Sequence, residues 1–384
     1  MHDVIVVGCG PAGSQASLEL AEMGFSVLAL ERGPLSREKP CAGGIQAVEV
    51  EEYRVPRELA ERVIGAAHIE GWGHSVDIKV RKPGYTVMRG RYDSWLASKA
   101  AEAGAEVREH HRVVDVKRLE PMHYRVKAKH KGELRELDCR AVVGADGFPS
   151  LVASKLGFPK PSTKDFAASI QYHIQLTEEQ VDSEYGDRVH FYFGVVKWGY
   201  AWAFPKRTQV AAGILSVASE ERLQSLKAKL DGVLGLEKLR NVVRVEKHLI
   251  PHRLRPRLQL DCALLVGDTA GAANPVHWGG IWHARKTAEV AARNVARALE
   301  QENPAASAYE HEMRREVYAP YFRYDLVMQK MMYGMGLMRR ALALAAEGNM
   351  DVIEAIDILL TSLEPHSKAF WKLLKAAPRL LLKA

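Results

Sequence analysis

Val4-Ile5-Val6-Val7-Gly8-Cys9-Gly10-Pro11-Ala12-Gly13 is the stretch that decides the fold. Four apolar, mostly β-branched residues predict a buried parallel strand. Gly-x-Gly-x-x-Gly then predicts a turn into a helix from about Pro11 to Met23. Gly8 permits the tight turn, Gly10 lets a pyrophosphate approach the backbone, and Gly13 lets helix and strand pack closely. The helix N-terminus adds N–H groups and a positive dipole end. Eighteen residues after Gly13, Glu31 closes a second strand, Ser26 to Leu30, where an acid takes ribose hydroxyls. A glycine-rich turn alone is common. Strand, helix, second strand and acid in register point to a dinucleotide site.

The 384 residues suffice for two domains and an appendage. A formal charge of +7 favours anionic partners: phosphates, acidic lipid headgroups or nucleic acid. Nucleic acid is the weakest of these, because no zinc-finger, basic-helix or RNA-binding signature is present. Cys9, Cys41, Cys139 and Cys262 are scattered, with no Cys-x-x-Cys pair, which argues against a zinc or iron–sulfur site. A reduced, cytoplasmic chain is expected. The opening strand leaves no room for a signal peptide, and no run of eighteen apolar residues predicts a membrane span.

Past Glu31 lies a loop running from Arg32 to Gly44, and from Val48 to Val63 the pattern predicts a charged helix. Residues 67 to 88 predict β-structure containing Trp72 and Tyr85. Arg89 opens a helix ending at Gly104, followed by a strand at Ala105-Glu106-Val107. Alternation near 112–118 and 123–129 predicts a small hairpin, and Ala141 to Gly147 a buried strand ending in a turn. Phe166–Leu176, Arg188–Val195, Tyr200–Phe204 and Gln209–Leu215 alternate as antiparallel strands do. A helix near 218–230 and a strand near 243–249 follow. Cys262 to Asp268 returns to the parallel-strand style, and Trp282 to Leu299 is a long amphipathic helix. The nucleotide domain is thus interrupted by a sheet domain and resumes late.

With Gly8–Gly13, Gly144–Gly147 and Gly267–Asp268 in this order, the chain resembles flavoproteins of the para-hydroxybenzoate hydroxylase type. Within them it is similar to the geranylgeranyl reductase family. Three signatures carry the narrower match: Lys39-Pro40-Cys41-Ala42-Gly43-Gly44; Tyr200-Ala201-Trp202-Ala203-Phe204-Pro205 with Gly213 after it; and Gly267-Asp268-Thr269-Ala270-Gly271. The last continues through Asn274-Pro275 to Gly279-Gly280-Ile281, and the resemblance spans about residues 3 to 300.

The resemblance implies FAD held by Gly8, Gly10, Ala12, Gly13, Glu31, Arg32, Cys41, Ala42, Gly44, Arg89, Val113, Asp268, Gly280 and Ile281. Asp268 follows a buried strand, so its carboxylate can take ribityl hydroxyls; the plainer reading is a helix cap. Gly280 and Ile281 are expected under the pyrimidine edge of the flavin. Arg89 has a plainer reading as a surface ion pair with Asp93 at i,i+4, and Val113 as an ordinary strand residue. Asp146-Gly147 is either a landmark shared with a reductant nucleotide or a common turn. Cys41, beside small residues, is expected near the ring, where a thiol can donate the proton that alkene reduction requires. A buried, inert cysteine is the alternative.

Tyr200, Trp202 and Phe204 alternate onto one strand face. They are read as lining a channel for a long apolar substrate, with Cys41, Tyr200 and Trp202 as catalytic candidates and Trp278 as a further substrate contact. Trp278 stands where the family has a glycine, and Trp282-His283-Ala284-Arg285-Lys286 replaces its Ala-Met and Ser-Gly continuation. Bulk at Trp278 and Trp282 narrows the space beside the flavin, and His277 and His283 add titratable groups.

At the C-terminus, Met328, Met331, Met332, Met335 and Met338 mark an adaptable helix face. Ala369, Phe370, Leu373, Leu374 and Ala377 share a face, with Lys368, Lys372 and Lys375 elsewhere, a pattern suited to an anionic membrane or to plain packing.

The expected fold class is α/β: a Rossmann-like FAD-binding domain (1–50, 87–160, 255–300) interrupted by an antiparallel substrate domain (51–86, 161–254), then a helical region (301–384). The implied function is FAD-dependent saturation of C=C bonds in a geranylgeranyl chain carried on a lipid, diphosphate, chlorophyll-type or quinone headgroup. NAD(P)H or a ferredoxin would supply electrons. A flavin monooxygenase or halogenase shares the scaffold, and a membrane-docked electron carrier to quinone is a third reading. Peripheral contact with the inner face of the membrane through the C-terminal helix stays open.

Overall fold

The computed structural model describes residues 1–382. One eight-stranded sheet is built on the opening stretch. His2–Val7 lies between Val27–Leu30 and Glu133–Gly144, with Glu106–Arg108 beyond the former and Ala263–Leu265 beyond the latter, all parallel. The hairpin Arg112–Glu120/His123–His130 extends from Glu133–Gly144 in antiparallel fashion. Val4, Ile5 and Val6 are fully buried, and each such side chain contributes roughly 1.5–3 kcal/mol relative to exposure. Helices Pro11–Glu22 and Ile281–Glu300 cover this sheet, and alanines such as Ala16, Ala288 and Ala291 join its core.

The second sheet also has eight strands, in the order Val242–Pro251, Phe166–Gln175, Gln209–Val217, Gly199–Pro205, Arg188–Tyr192, Ala60–Gly71, His74–Val87 and Gly44–Ile45. Its neighbours are antiparallel except Arg188–Tyr192 with Ala60–Gly71, which run parallel. Between those two strands the chain passes through the nucleotide sheet, so a long crossover replaces a hairpin. One face of Gly199–Pro205 presents Ala201 and Ala203 to a core with Leu226 and Leu230 of helix Leu223–Leu239. The other presents Tyr200, Trp202 and Phe204 to the interior between the sheets.

The expected helix from Val48 to Val63 is corrected. A helix occupies only Ala47–Glu52, and Ala60 already begins a strand. Arg54 sits at φ 47° and Pro56 follows Val55, so the chain leaves helical geometry there despite its charged, helix-like pattern.

Tyr309, Met313, Val317 and Phe322 still join the core of the first sheet, and beyond them helix Leu337–Ala346 packs on Ala60–Gly71 and His74–Val87 of the second sheet and helix Met350–Thr361 on His74–Val87. Met328 and Met332 are buried in their core, whereas Met335 is exposed, so the methionine stripe is split. Ala369 and Leu373 of helix His366–Lys375 pack into the same core, leaving Trp371 and Leu374 exposed. Lys383 and Ala384 lie outside the described residues. No helix among the described residues is long and apolar enough to cross a membrane.

Candidate active site

A cavity of about 1060 Å³ runs between the two sheets, and the nucleotide loop and the aromatic stripe both open onto it. Gly8, Gly10, Ala12, Glu31, Arg32, Cys41, Ala42, Gly44, Arg89, Val113, Asp268, Gly280 and Ile281 line it, as do Tyr200, Trp202, Phe204 and Trp278. Gly13 lies beneath the wall: a Cβ there would stand 1.8 Å from the Gly8 carbonyl oxygen. Gly8 itself has φ +100°, and its Cβ would stand 2.4 Å from the Ala145 carbonyl oxygen.

At the nucleotide end the site fits a dinucleotide. A Cβ on Gly10 would meet only the Lys39 ammonium, at 3.4 Å, so the backbone there is open to a ligand. Among the described residues, the N–H groups of Ala12 and Gly13 have no protein acceptor, and they point from a helix N-terminus suited to phosphate. Glu31, buried, accepts from the Cys9 N–H at 3.0 Å and pairs with Arg37 at 2.9 Å, which fixes its carboxylate at the loop. Asp268 makes no cap for the helix it opens. The His248 ring lies 3.9 Å away, and among the described residues the carboxylate accepts no hydrogen bond and lines the cavity. Beyond it, the amides of Ile281, Trp282 and His283 begin the long helix without protein acceptors among the described residues. Asp146 also lines the cavity, but it accepts from the Ser150 hydroxyl at 2.7 Å and from the Leu151 and Val152 amides, the first two of a short helix whose cap is Ser150.

Nearer the aromatic stripe, the Cys41 sulfur accepts from the Gly43 N–H at 3.3 Å. Arg89 and Asp93 do form the i,i+4 pair, at 3.0 and 3.1 Å, but buried rather than on the surface. Burial works against the Arg89 charge, yet Asp93 and the Cys41 sulfur outweigh it and hold the guanidinium above its usual pKa. Two neighbours are absent from the sequence expectations. Glu38 accepts from the Arg89 and Gly90 amides at 3.2 and 2.9 Å, capping the helix Arg89–Glu102. Lys206, buried, donates to the Ala42 and Val87 carbonyls at 2.9 and 2.6 Å, clamping the Cys41 loop to the second sheet. Burial pulls its pKa down to about 8. Its only sequence signal is its place directly after Phe204-Pro205.

The aromatic wall depends on glycines opposite it. Trp202 pairs across the ladder with Gly213, where a Cβ would stand 2.2 Å from the indole. A Cβ on Gly44 would stand 2.7 Å from the Phe204 ring. The Tyr200 hydroxyl donates to the His277 carbonyl at 2.5 Å, and the Trp278 indole donates to His252 at 3.2 Å. Trp278 packs against Tyr200 and Tyr333, with ring centroids 5.8 and 5.5 Å apart. Its bulk therefore closes one side of the cavity. Leu359, Leu360 and Thr361 from the helical cap close another, tied in by Gln46, which donates to the Leu359 and Leu360 carbonyls at 3.2 and 3.0 Å.

Residues 1–318 match the family described as FAD binding domain. The chain is 31% identical over 357 residues to a digeranylgeranylglycerophospholipid reductase of Methanopyrus kandleri, covering 85% of this chain and 86% of that protein. It is 30% identical over 365 residues to the chloroplastic geranylgeranyl diphosphate reductase of Oryza sativa subsp. japonica, covering 88% and 76%. Among solved structures, a geranylgeranyl bacteriochlorophyll reductase-like protein from Thermoplasma acidophilum shares the fold, with TM-score 0.80, 22% identity and coverage of 100% and 97%. A nucleotide loop, an unused carboxylate beyond the last parallel strand and an aromatic cavity thus occur in a chain that belongs to the geranylgeranyl reductase family of FAD-binding oxidoreductases.

Proposed function

We propose that this chain saturates C=C bonds of a long isoprenoid, a geranylgeranyl chain with an anionic headgroup. The observation that carries the reading is the continuity of one cavity from the phosphate-binding loop to the wall of Tyr200, Trp202 and Phe204. FAD, once bound and reduced, would supply the hydride. The amides of Ala12 and Gly13 would hold its pyrophosphate, Glu31 and Arg32 with Val113 its adenosine end, and Asp268 its ribityl chain. Cys41, Ala42, Gly44, Arg89, Gly280 and Ile281, which line the cavity, would hold the ring. Tyr200 and Trp202 orient the alkene, Phe204 and Trp278 shape the channel, and the apolar wall excludes water. Cys41, on the cavity wall, would contact the reacting centre.

Incubating the reduced holoenzyme with geranylgeranyl diphosphate or a geranylgeranylated lipid, without oxygen, tests this by product mass. Two hydrogens gained per bond are expected. Oxygen or halogen incorporation once air and halide are admitted, with the chain otherwise untouched, would overturn the reading in favour of an oxygenase or halogenase.

Two partners complete the proposal. An external reductant, a nicotinamide nucleotide or a ferredoxin, reloads the cofactor. Trp371 and Leu374, exposed beside Lys375, meet an anionic lipid surface. Co-sedimentation with anionic vesicles is expected to weaken in Trp371→Ala; equal pelleting of variant and parent contradicts that contact.

A further inference from the structure

A bulky residue in left-handed backbone geometry is strained, and its surroundings must hold it there. Trp278 sits at φ 51° with its side chain buried on the cavity wall. It belongs to a tight loop, Asn274 to Gly279, that Asn274 closes from inside. The Asn274 amide donates to the Gly279 carbonyl at 2.9 Å, and the Asn274 carbonyl accepts from the Trp278 amide at 3.0 Å. Asn274 Oδ1 accepts from the Val276 and His277 amides at 2.7 and 3.1 Å.

From outside, the loop is held by the helical cap. The helix Arg323–Gln329 runs on into a π-helical turn, Lys330–Gly334, a form that recurs at functional sites. Asp325, Gln329 and Tyr333, spaced at helical intervals along one side, take three consecutive loop residues. Asp325 accepts from the Asn274 side-chain amide at 2.8 Å. Gln329 donates to the Pro275 carbonyl at 2.7 Å, and the Tyr333 hydroxyl to the Val276 carbonyl at 2.9 Å. The Tyr333 ring also packs edge-on to the Trp278 indole. Plain packing does not account for this row. Asp325 is fully buried against the His366 ring, 2.9 Å away, and Gln329 is buried with its Oε1 lacking a partner among the described residues. A buried amide left half unsatisfied costs stability, and the contact it makes here is the one to the loop.

We propose that Asp325, Gln329 and Tyr333 are positioning residues that fix Trp278 on the channel wall, and that Trp278 so fixed sets which double bond of the prenyl chain reacts. The assignment rests on the reductase reading above. A prenyl chain repeats one apolar unit, so neither charge nor hydrogen bonding tells one double bond from the next. A steric stop sets the register instead. Tyr200, Trp202 and Phe204 stand on a strand laddered on both sides. Trp278 stands on a loop two residues before Gly280, on the same cavity wall, and its ring stays in place only as far as the row holds the loop. Released, it would let the chain slide by a unit.

The test is one anaerobic turnover of the reduced holoenzyme with geranylgeranyl diphosphate, the position of the saturated bond in the product being read by NMR. The parent should give mainly one isomer. Trp278→Gly, which relieves the backbone strain, should lower the ratio of that isomer to the others by about tenfold or more, the discrimination an apolar contact supplies. The pair Gln329→Met and Tyr333→Phe should lower it about fivefold, the worth of a net hydrogen bond. Added to Trp278→Gly, the pair should change it by less than about twofold. Calorimetric titration of the oxidised protein, which binds the diphosphate without reducing it, should show parental affinity in the paired variant at parental flavin content. A ratio within about twofold of the parent's in either variant overturns the assignment. So does an undiminished further fall when the pair is added to Trp278→Gly, or a prenyl affinity that falls with the ratio, since either marks the row as supporting the fold at large. If Trp278→Gly or the pair retains no flavin, Trp278→Phe and Tyr333→Phe alone take their places under the same criteria. A parent that yields the isomers in equal amounts overturns the assignment and leaves the reductase reading standing. A parent that no prenyl substrate reoxidises sinks that reading, and the assignment with it.

Discussion

Gly13→Val is expected to yield a protein that retains no FAD and loses much of its folding stability. The added Cβ would stand 1.8 Å from the Gly8 carbonyl oxygen, a backbone atom that cannot swing aside. The first helix would have to lift from the opening strand, taking with it the amides of Ala12 and Gly13. Overpacking of this kind costs about 3 kcal/mol or more. Gly10→Ala is the informative partner, because its Cβ meets only the flexible end of Lys39, at 3.4 Å. That variant should fold like the parent and lose flavin affinity alone. Flavin absorbance after desalting, read beside the thermal transition, separates the two cases. A Gly13→Val protein with parental flavin content and melting temperature would contradict the packing described here.

Gly213→Val is expected to act on the other half of the cavity. Its Cβ would stand 2.2 Å from the Trp202 indole, which lies across the ladder from it. The ring is the movable partner, so it should be driven into the cavity where the substrate chain runs. Displacing a substrate-positioning group by about 1 Å costs on the order of 100-fold in rate, and kcat/KM should fall by at least that while FAD stays bound. Flavin content and prenyl-chain turnover measured on one preparation check this. Loss of flavin together with activity would show that Trp202 supports the fold rather than the channel.

The cofactor half of the cavity was legible in the sequence because its determinants are local. Gly8, Gly10 and Gly13 act within six residues of each other, and Glu31 follows on the next strand. The shared face of Tyr200, Trp202 and Phe204 was legible because strand periodicity dictates it. Lys206 and the Leu359–Thr361 wall were not, since each acquires its meaning only from a distant segment. The Cys41 loop gives Lys206 an acceptor in the Ala42 carbonyl. Gln46 meets the helical cap across 313 residues of sequence. The mistaken helix from Val48 to Val63 has a different origin: charge spacing favoured it, while the left-handed Arg54 and Pro56 ended it early. Asp146 was ambiguous for a third reason. An Asp-Gly turn looks the same whether its carboxylate binds helix amides or faces a ligand, and here it binds the Leu151 and Val152 amides at the cavity's edge.

The most direct measurement of the central claim is a stoichiometric one. The holoenzyme is reduced under strict anaerobiosis, excess reductant is removed, and geranylgeranyl diphosphate is added while flavin absorbance and product mass are followed together. The account predicts recovery of oxidised flavin with one double bond saturated per flavin reoxidised. Flavin that stays reduced with geranylgeranyl diphosphate and with a geranylgeranylated lipid, and reoxidises only when oxygen or a quinone is admitted, would contradict it.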